Sequence, residues 1–263
     1  GLGAGGGMGA GGLGAGGGMG AGGLGAGGGL GSVLAQARCD VLVNLASLGF
    51  GHGPGVVAAA EAAGIRRAVF VSTTAVTTAL PAGTKRIRLA AEDAIRSSGL
   101  AWTILRPTMI YGAAGDRNLS RLLPLLRRAP LLPVPGGRQL QQPVHVADVA
   151  AAVLAAAERP GAAGETYDIA GPEPMTFTEL LRVSAAAAGS RTRFVPVPLR
   201  PVIALARGYE QVSRKPRIRA EQVQRLAEDK AFAIAAAARD LGYTPRPFAA
   251  GITAQAQAMD QHA

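Results

Sequence analysis

The chain has 263 residues, of which 48% are hydrophobic, and its 27 basic and 17 acidic side chains give a net charge of +10. This composition excludes an acidic or highly charged disordered chain and allows a sizeable core. One cysteine and three histidines exclude an internal disulfide framework and a cysteine-based structural zinc site, and fit a reducing, cytoplasmic setting.

Residues 1–32 hold 20 of the 38 glycines, and the segment 1–11 recurs at 12–22 and again, almost unchanged, from Gly23. Such a repeat has no apolar face at any period and loses the most backbone entropy on ordering, so a disordered leader is expected. It matches G-x-G-x-x-G at Gly1, Gly3 and Gly6, but a dinucleotide fingerprint needs a hydrophobic strand before it and a helix after it. Here both neighbours are more glycine, and the match is read as chance. The leader has no basic n-region of a secretory signal and no arginine or aromatic residue of a nucleic-acid tail.

From Cys39 the pattern changes to alternating strands and helices. A buried parallel strand is expected over 40–47, a small-residue helix over 54–63 closed by Gly64, and a second strand over 67–74. A helix over 84–98 follows, with Ile87, Ala91 and Ile95 on one face, then a third strand from Trp102 to Pro107. Strands separated by helical crossovers imply an α/β fold with a parallel sheet. Beyond Tyr111 the reading is mixed: a basic amphipathic helix over 119–128, a strand over 141–146, a helix over 148–158 and a strand over 167–170. Thr176 to Glu179 is a capping box opening a helix to Ala188, which Gly189 ends. Helices over 199–212 and 220–239 and a short last helix complete the reading. No apolar run is long enough to cross a bilayer.

Six segments, V-L-V-N-L-A-S, A-V-F-V-S-T-T, W-T-I-L-R-P-T-M-I-Y-G, P-V-H-V-A-D-V-A, Y-D-I-A-G-P-E and D-L-G-Y-T-P-R-P-F, occur in this order. Together they resemble the NAD-dependent epimerase/dehydratase family of the short-chain dehydrogenase/reductase superfamily, including members similar to the Rossmann-type accessory subunit of respiratory complex I. The resemblance implies a partial doubly wound parallel sheet over 33–112 and a smaller, mostly helical substrate region over 113–263, partly interleaved with it. It also implies NAD or NADP as cofactor and hydride transfer on a nucleotide sugar or other polar alcohol; a non-catalytic binding or assembly module is the alternative. The family's first strand and its T-G-x-x-G-x-x-G loop have no counterpart before Asp40, so an N-terminally truncated member is expected.

The same resemblance assigns the candidate site. Counting back from Glu92 puts Thr84 where the family has its catalytic tyrosine and Arg88 where it has lysine; Arg88 then grips ribose or phosphate, or forms a solvated pair with Glu92. Ser72, with Thr73, ends the second strand as a substrate-orienting hydroxyl or as a strand-end cap. Asn44, Ala46 and Ser47 resemble the segment under the adenine ribose, and Pro107 and Thr108 the nicotinamide-side loop. Tyr111 is a substitute acid or packing, and His145 and Asp148 are read as structural. The stretch 182–230 holds 11 basic and four acidic residues. It reads as a solvated surface, a phosphate site, or a contact to an anionic membrane or protein; no nucleic-acid partner is expected.

Overall fold

The computed structural model describes residues 29–80, 83–113, 116, 118–213, 224 and 228–261. The chain runs α1 (Gly29–Ala37), β1 (Val41–Asn44), α2 (Gly53–Ala62), β2 (Arg67–Val71), α3 (Gly83–Arg96), β3 (Ala101–Pro107), β4 (Ile110–Tyr111) and α4 (Leu119–Arg128). It continues through β5 (Leu131–Pro135), β6 (Leu140–Gln141), β7 (Val144–His145), α5 (Val146–Glu158), β8 (Glu165–Ile169), β9 (Met175–Thr176) and α6 (Phe177–Ala187). The last elements are β10 (Arg193–Val197), α7 (Leu199–Val212), α8 (Ala235–Leu241) and α9 (Phe248–Gln261).

The main sheet has the order β1-β2-β3-β8, and every pair in it is parallel. Alternation along β2 and β3 divides the core. Ala68, Phe70 and Ile104 face α1, α2 and α3, whereas Val69 and Leu105 face α5 and α8. Phe70, Ile104 and Leu105 are wholly buried, each contributing about 1.5–3 kcal/mol of hydrophobic stabilisation relative to exposure. Two faces covered by helices are what near-continuous apolar strands require. A third cluster, built on Tyr111, Leu119, Leu123, Leu180, Phe248 and Ile252, joins α4, α6 and α9 beside the sheet. β8 comes from the C-terminal half of the chain and completes the sheet, so the two regions interleave.

Local chemistry sets the ends of the elements. Pro54 sits in the first turn of α2, where its fixed φ suits the helix, and Gly64 follows that helix in the left-handed region at φ +73°. The Thr176 hydroxyl accepts from the Glu179 N–H at 3.1 Å and opens α6. One Asp116 carboxylate oxygen accepts from the N–H groups of Asn118, Leu119 and Ser120 at the start of α4.

Three readings are corrected, and one strand pair is added. The leader was bounded at Ser32, yet Gly29–Ser32 already belong to α1; its glycine repeats 1–28 lie outside the described residues. The single strand over 141–146 is two short ones on either side of Pro143: β6 pairs antiparallel with β9 and β7 parallel with β4. The helix expected over 220–239 is confined, among the described residues, to α8 and residue 224. Residues 229–232 instead bond to the β6 segment, the Lys230 N–H to the Leu140 carbonyl and the Phe232 N–H to the Gln142 side chain. The parallel pair β5 and β10 was not expected at all. Part of the basic stretch 182–230 also lies outside the described residues.

Candidate cofactor and substrate cleft

The C-terminal ends of β1, β2 and β3 open onto a cleft of about 410 Å³, bounded on one side by the first turns of α3. This is where an open parallel sheet offers strand-end loops and helix starts to a ligand, and the volume is in the usual range for small-molecule sites. Ser47, Ser72, Thr73, Thr84, Arg88, Pro107 and Thr108 line it, with Leu45, Leu48, Val71, Ala75 and Ile110 supplying apolar surface. The structure thus brings seven of the nine expected site residues together. Asn44 and Ala46 stand apart from this lining: Asn44 is buried at the end of β1, and its side-chain amide donates to the Ala46 carbonyl at 3.1 Å.

Arg88 supplies the charge of the lining. Its guanidinium lies against Gly49, where a Cβ would come within about 3.1 Å of it, and its Nη1 donates to the Thr84 hydroxyl at 2.8 Å. Glycine at position 49 therefore lets the cation lie close to the backbone that follows β1. The reading of Arg88 as Glu92's solvated partner is not what anchors Glu92, whose side chain is fully buried under the cleft. Its carboxylate accepts from Ser72 Oγ at 2.6 Å, from Arg106 Nε and Nη2 at 3.1 and 2.5 Å, and from Arg96 Nη2 at 2.8 Å. Burial alone would raise its pKa, but the bonds from Arg106, Ser72 and Arg96 outweigh that and hold the carboxyl below its ordinary 4.5. The bond to Glu92 raises Arg106 further above its ordinary value. Asp168, beside Arg106 in the β3–β8 register, is raised by burial, with Oδ1 lacking a partner among the described residues.

The remaining hydroxyls are fixed by the backbone. Ser47 and Thr73 each cap a single turn of 3-10 helix, accepting from the Gly49 and Ala75 N–H groups at 3.3 and 3.2 Å. Thr108 donates its hydroxyl to the Gln142 carbonyl at 2.6 Å and its N–H to the Ile169 carbonyl at 3.0 Å. In the expected nicotinamide-side loop, Thr108 is thereby left with its oxygen lone pairs to offer.

Tyr111 is no substitute acid. Its ring is wholly buried in edge contact with Phe248 and His145, its hydroxyl faces the Phe248 carbonyl, and burial drives its pKa far above the ordinary 10. His145 is structural, as read: Nδ1 accepts from the Ala147 N–H at 3.2 Å and caps α5. Asp148 faces Arg246 at 2.9 Å rather than the cleft. Sequence reasoning missed the Glu92 to Arg106 pair beneath the site. The signal was available, because Arg106 shares a strand face with Ile104 and a basic group on a buried face calls for a carboxylate.

An NAD(P) group fits this cleft in part. Arg88 suits a ribose or phosphate, and Thr108 can accept from a carboxamide N–H, whereas the described residues beside β1 include no strand leading into a T-G-x-x-G-x-x-G loop at a helix start. No helix among the described residues is long and apolar enough to cross a membrane, and they contain no cluster of potential metal ligands.

Residues 35–160 match a family model described as NAD(P)H-binding. The chain is 33% identical over 155 residues to the mitochondrial NADH dehydrogenase [ubiquinone] 1 alpha subcomplex subunit 9 of Arabidopsis thaliana, covering 57% of this chain and 38% of that protein, so it spans well under half of that relative. It is 29% identical to a 4-hydroxy-2-methyl-3-oxo-4-farnesyl-3,4-dihydroquinoline-1-oxide ketoreductase of Stigmatella aurantiaca, over 80% of this chain and 74% of that one. The fold matches UDP-glucuronic acid 4-epimerase from Bacillus cereus, solved in complex with NAD, with a TM-score of 0.64 and 17% identity over 89% of this chain and 78% of that one. With its parallel sheet and strand-end cleft, the chain carries a match to an NAD(P)H-binding family model over residues 35–160 and has the fold of the NAD-dependent Rossmann-type epimerases.

Proposed function

We propose that the cleft takes the nicotinamide end of NAD or NADP together with a polar alcohol, such as the carbinol of a nucleotide sugar, and that hydride passes between them. The observation that carries this reading is the convergence of Ser72, Thr73, Arg88, Pro107 and Thr108 on one strand-end cleft. The relatives add to it, being a ketoreductase and, by fold, an NAD-bound epimerase. In this reading Arg88 holds ribose or phosphate, Pro107 stiffens the floor, Thr108 accepts from the carboxamide, and Ser72 meets the alcohol oxygen. A bound NAD(P) supplies the hydride acceptor. Thr84 stands where a phenol is expected, and threonine is too weak an acid to exchange a proton at neutral pH, so the described lining supplies no group to take the alcohol proton.

That same Thr84 favours a second reading, a nucleotide-binding module without turnover that assembles with a partner. The relative in Arabidopsis thaliana is itself a subunit of a larger complex, and the net positive charge of the 182–230 stretch would suit docking on an anionic protein or membrane. Fluorescence titration of the chain with NADH and NADPH, followed by assay for turnover, decides between them. Saturable binding that Arg88→Ala weakens roughly tenfold, the ~1.4 kcal/mol expected of one charge-assisted bond, supports the cofactor site. Turnover then favours the enzyme, and binding without turnover the module. No saturable binding by folded protein refutes the cofactor reading.

A further inference from the structure

The partners of the cleft hydroxyls fix where their protons lie. Glu92 is ionised, and a carboxylate has no proton to give, so the 2.6 Å bond to Ser72 uses the only proton of Ser72. A carbonyl likewise gives none, so the 2.6 Å bond from Thr108 to Gln142 uses the hydroxyl proton of Thr108. The backbone N–H groups of both residues are also committed, to the carbonyls of Leu105 and Ile169. Elsewhere in the cleft the partners are donors: Arg88 to Thr84, the Gly49 N–H to Ser47 and the Ala75 N–H to Thr73. Those three hydroxyls keep their protons for a ligand.

We infer that the cleft discriminates by proton count: Ser72 and Thr108 present lone pairs alone and admit groups that bring a proton, while Arg88, Thr84 and Ser47 receive an anionic group wherever no cofactor phosphate occupies them. The ligand class is an anion bearing a free hydroxyl, taken as the alcohol in preference to the matching ketone. Ser72 is thus a specificity residue and Glu92 a positioning residue acting through it. A ketone oxygen at Ser72 would face lone pairs, and turning the hydroxyl to meet it would strip a donor from a fully buried carboxylate. The inference rests on the reading of this cleft as a ligand site and adds which oxidation state it holds.

Titration calorimetry of the full chain with 3-hydroxybutyrate and acetoacetate, a small anionic alcohol and its ketone, tests it. The alcohol is expected to bind at least tenfold more tightly, Ser72→Ala to bring the two within threefold, Ser72→Thr to restore the preference, and Arg88→Ala to weaken both alike. Far-UV circular dichroism checks that each variant is folded. Equal affinities, a preference for acetoacetate, or no binding of either by folded wild-type chain overturns the inference. The NADH titration separates the two readings: NADH binding without an alcohol preference refutes this inference alone, and an alcohol preference without NADH binding upholds it while refuting the cofactor reading.

Discussion

Replacing Glu92 by alanine tests the charged layer under the cleft. The side chain is fully buried and accepts from Ser72, Arg96 and Arg106. Arg106 is only 19% exposed, so losing its carboxylate leaves a largely desolvated guanidinium, an effect of about 3–5 kcal/mol. Asp168, adjacent in the sheet, offsets part of this, and Arg96 is hydrated enough to contribute at most ~1 kcal/mol. The expected loss is about 3–4 kcal/mol, a large share of the 5–15 kcal/mol that holds a typical domain folded, with a fall in Tm of roughly 10 °C. Urea denaturation followed by circular dichroism should show a lower midpoint at unchanged slope. Arg96→Ala should cost under about 1 kcal/mol, and Glu92→Leu with Arg106→Met should recover part of the loss, because it removes the unpaired guanidinium while Asp168 loses its neighbouring cation. A Glu92→Ala loss below about 1 kcal/mol, or an equal loss from Arg96→Ala, would refute the assignment. Because the folded-state pKa of Glu92 is depressed, its contribution is full above 4.5 and is lost as pH falls through the lower folded value.

Three more outcomes are expected. Burial, then the Arg246 cation, depress the pKa of His145 below 6.5, with Asp148 partly opposing, so its contribution to stability is full above 6.5 and lost as pH falls through the folded value; urea midpoints should drop between about pH 7.5 and 5, and His145→Ser, which keeps a cap, should flatten that slope. Gly251→Ala would place a Cβ on the ring and hydroxyl of Tyr111 and should destabilise by about 1–3 kcal/mol in the same assay, whereas Gly55→Ala, with open space around it, should not show this clash. Thr176→Ala removes the cap of α6 and should cost about 1 kcal/mol by thermal melting.

The legible parts of the fold were those governed by local rules. The helices over 119–128 and 199–212 and the capping box at Thr176 stand where periodicity and capping chemistry put them. β5 and β10 were hidden because Pro133, Pro135 and Pro196 argue against strands. They form a two-stranded sheet of their own, so each has an edge free of ladder bonds where proline is tolerated. The segment 229–232 reads as helix in the sequence because its extended form depends on distant partners at Leu140 and Gln142. At the site, the residue types at the strand ends were readable in the sequence, but the direction of each hydroxyl was not, since it is set by Glu92 and by the Gln142 carbonyl, 20 and 34 residues away.

The position of β8 has a consequence for the order in which the chain can become a protein. Its pairing with β3 buries Leu105 and Ile169, yet it is made about sixty residues after β3 ends. At 5–20 residues per second the ribosome takes about 3–12 s to supply it. Throughout that interval the nascent β1, β2 and β3 present the unpaired side of β3 and the apolar face that α5 and α8 later cover. Chain released before residue 169 is therefore expected to leave that face uncovered and to aggregate rather than form a small stable domain.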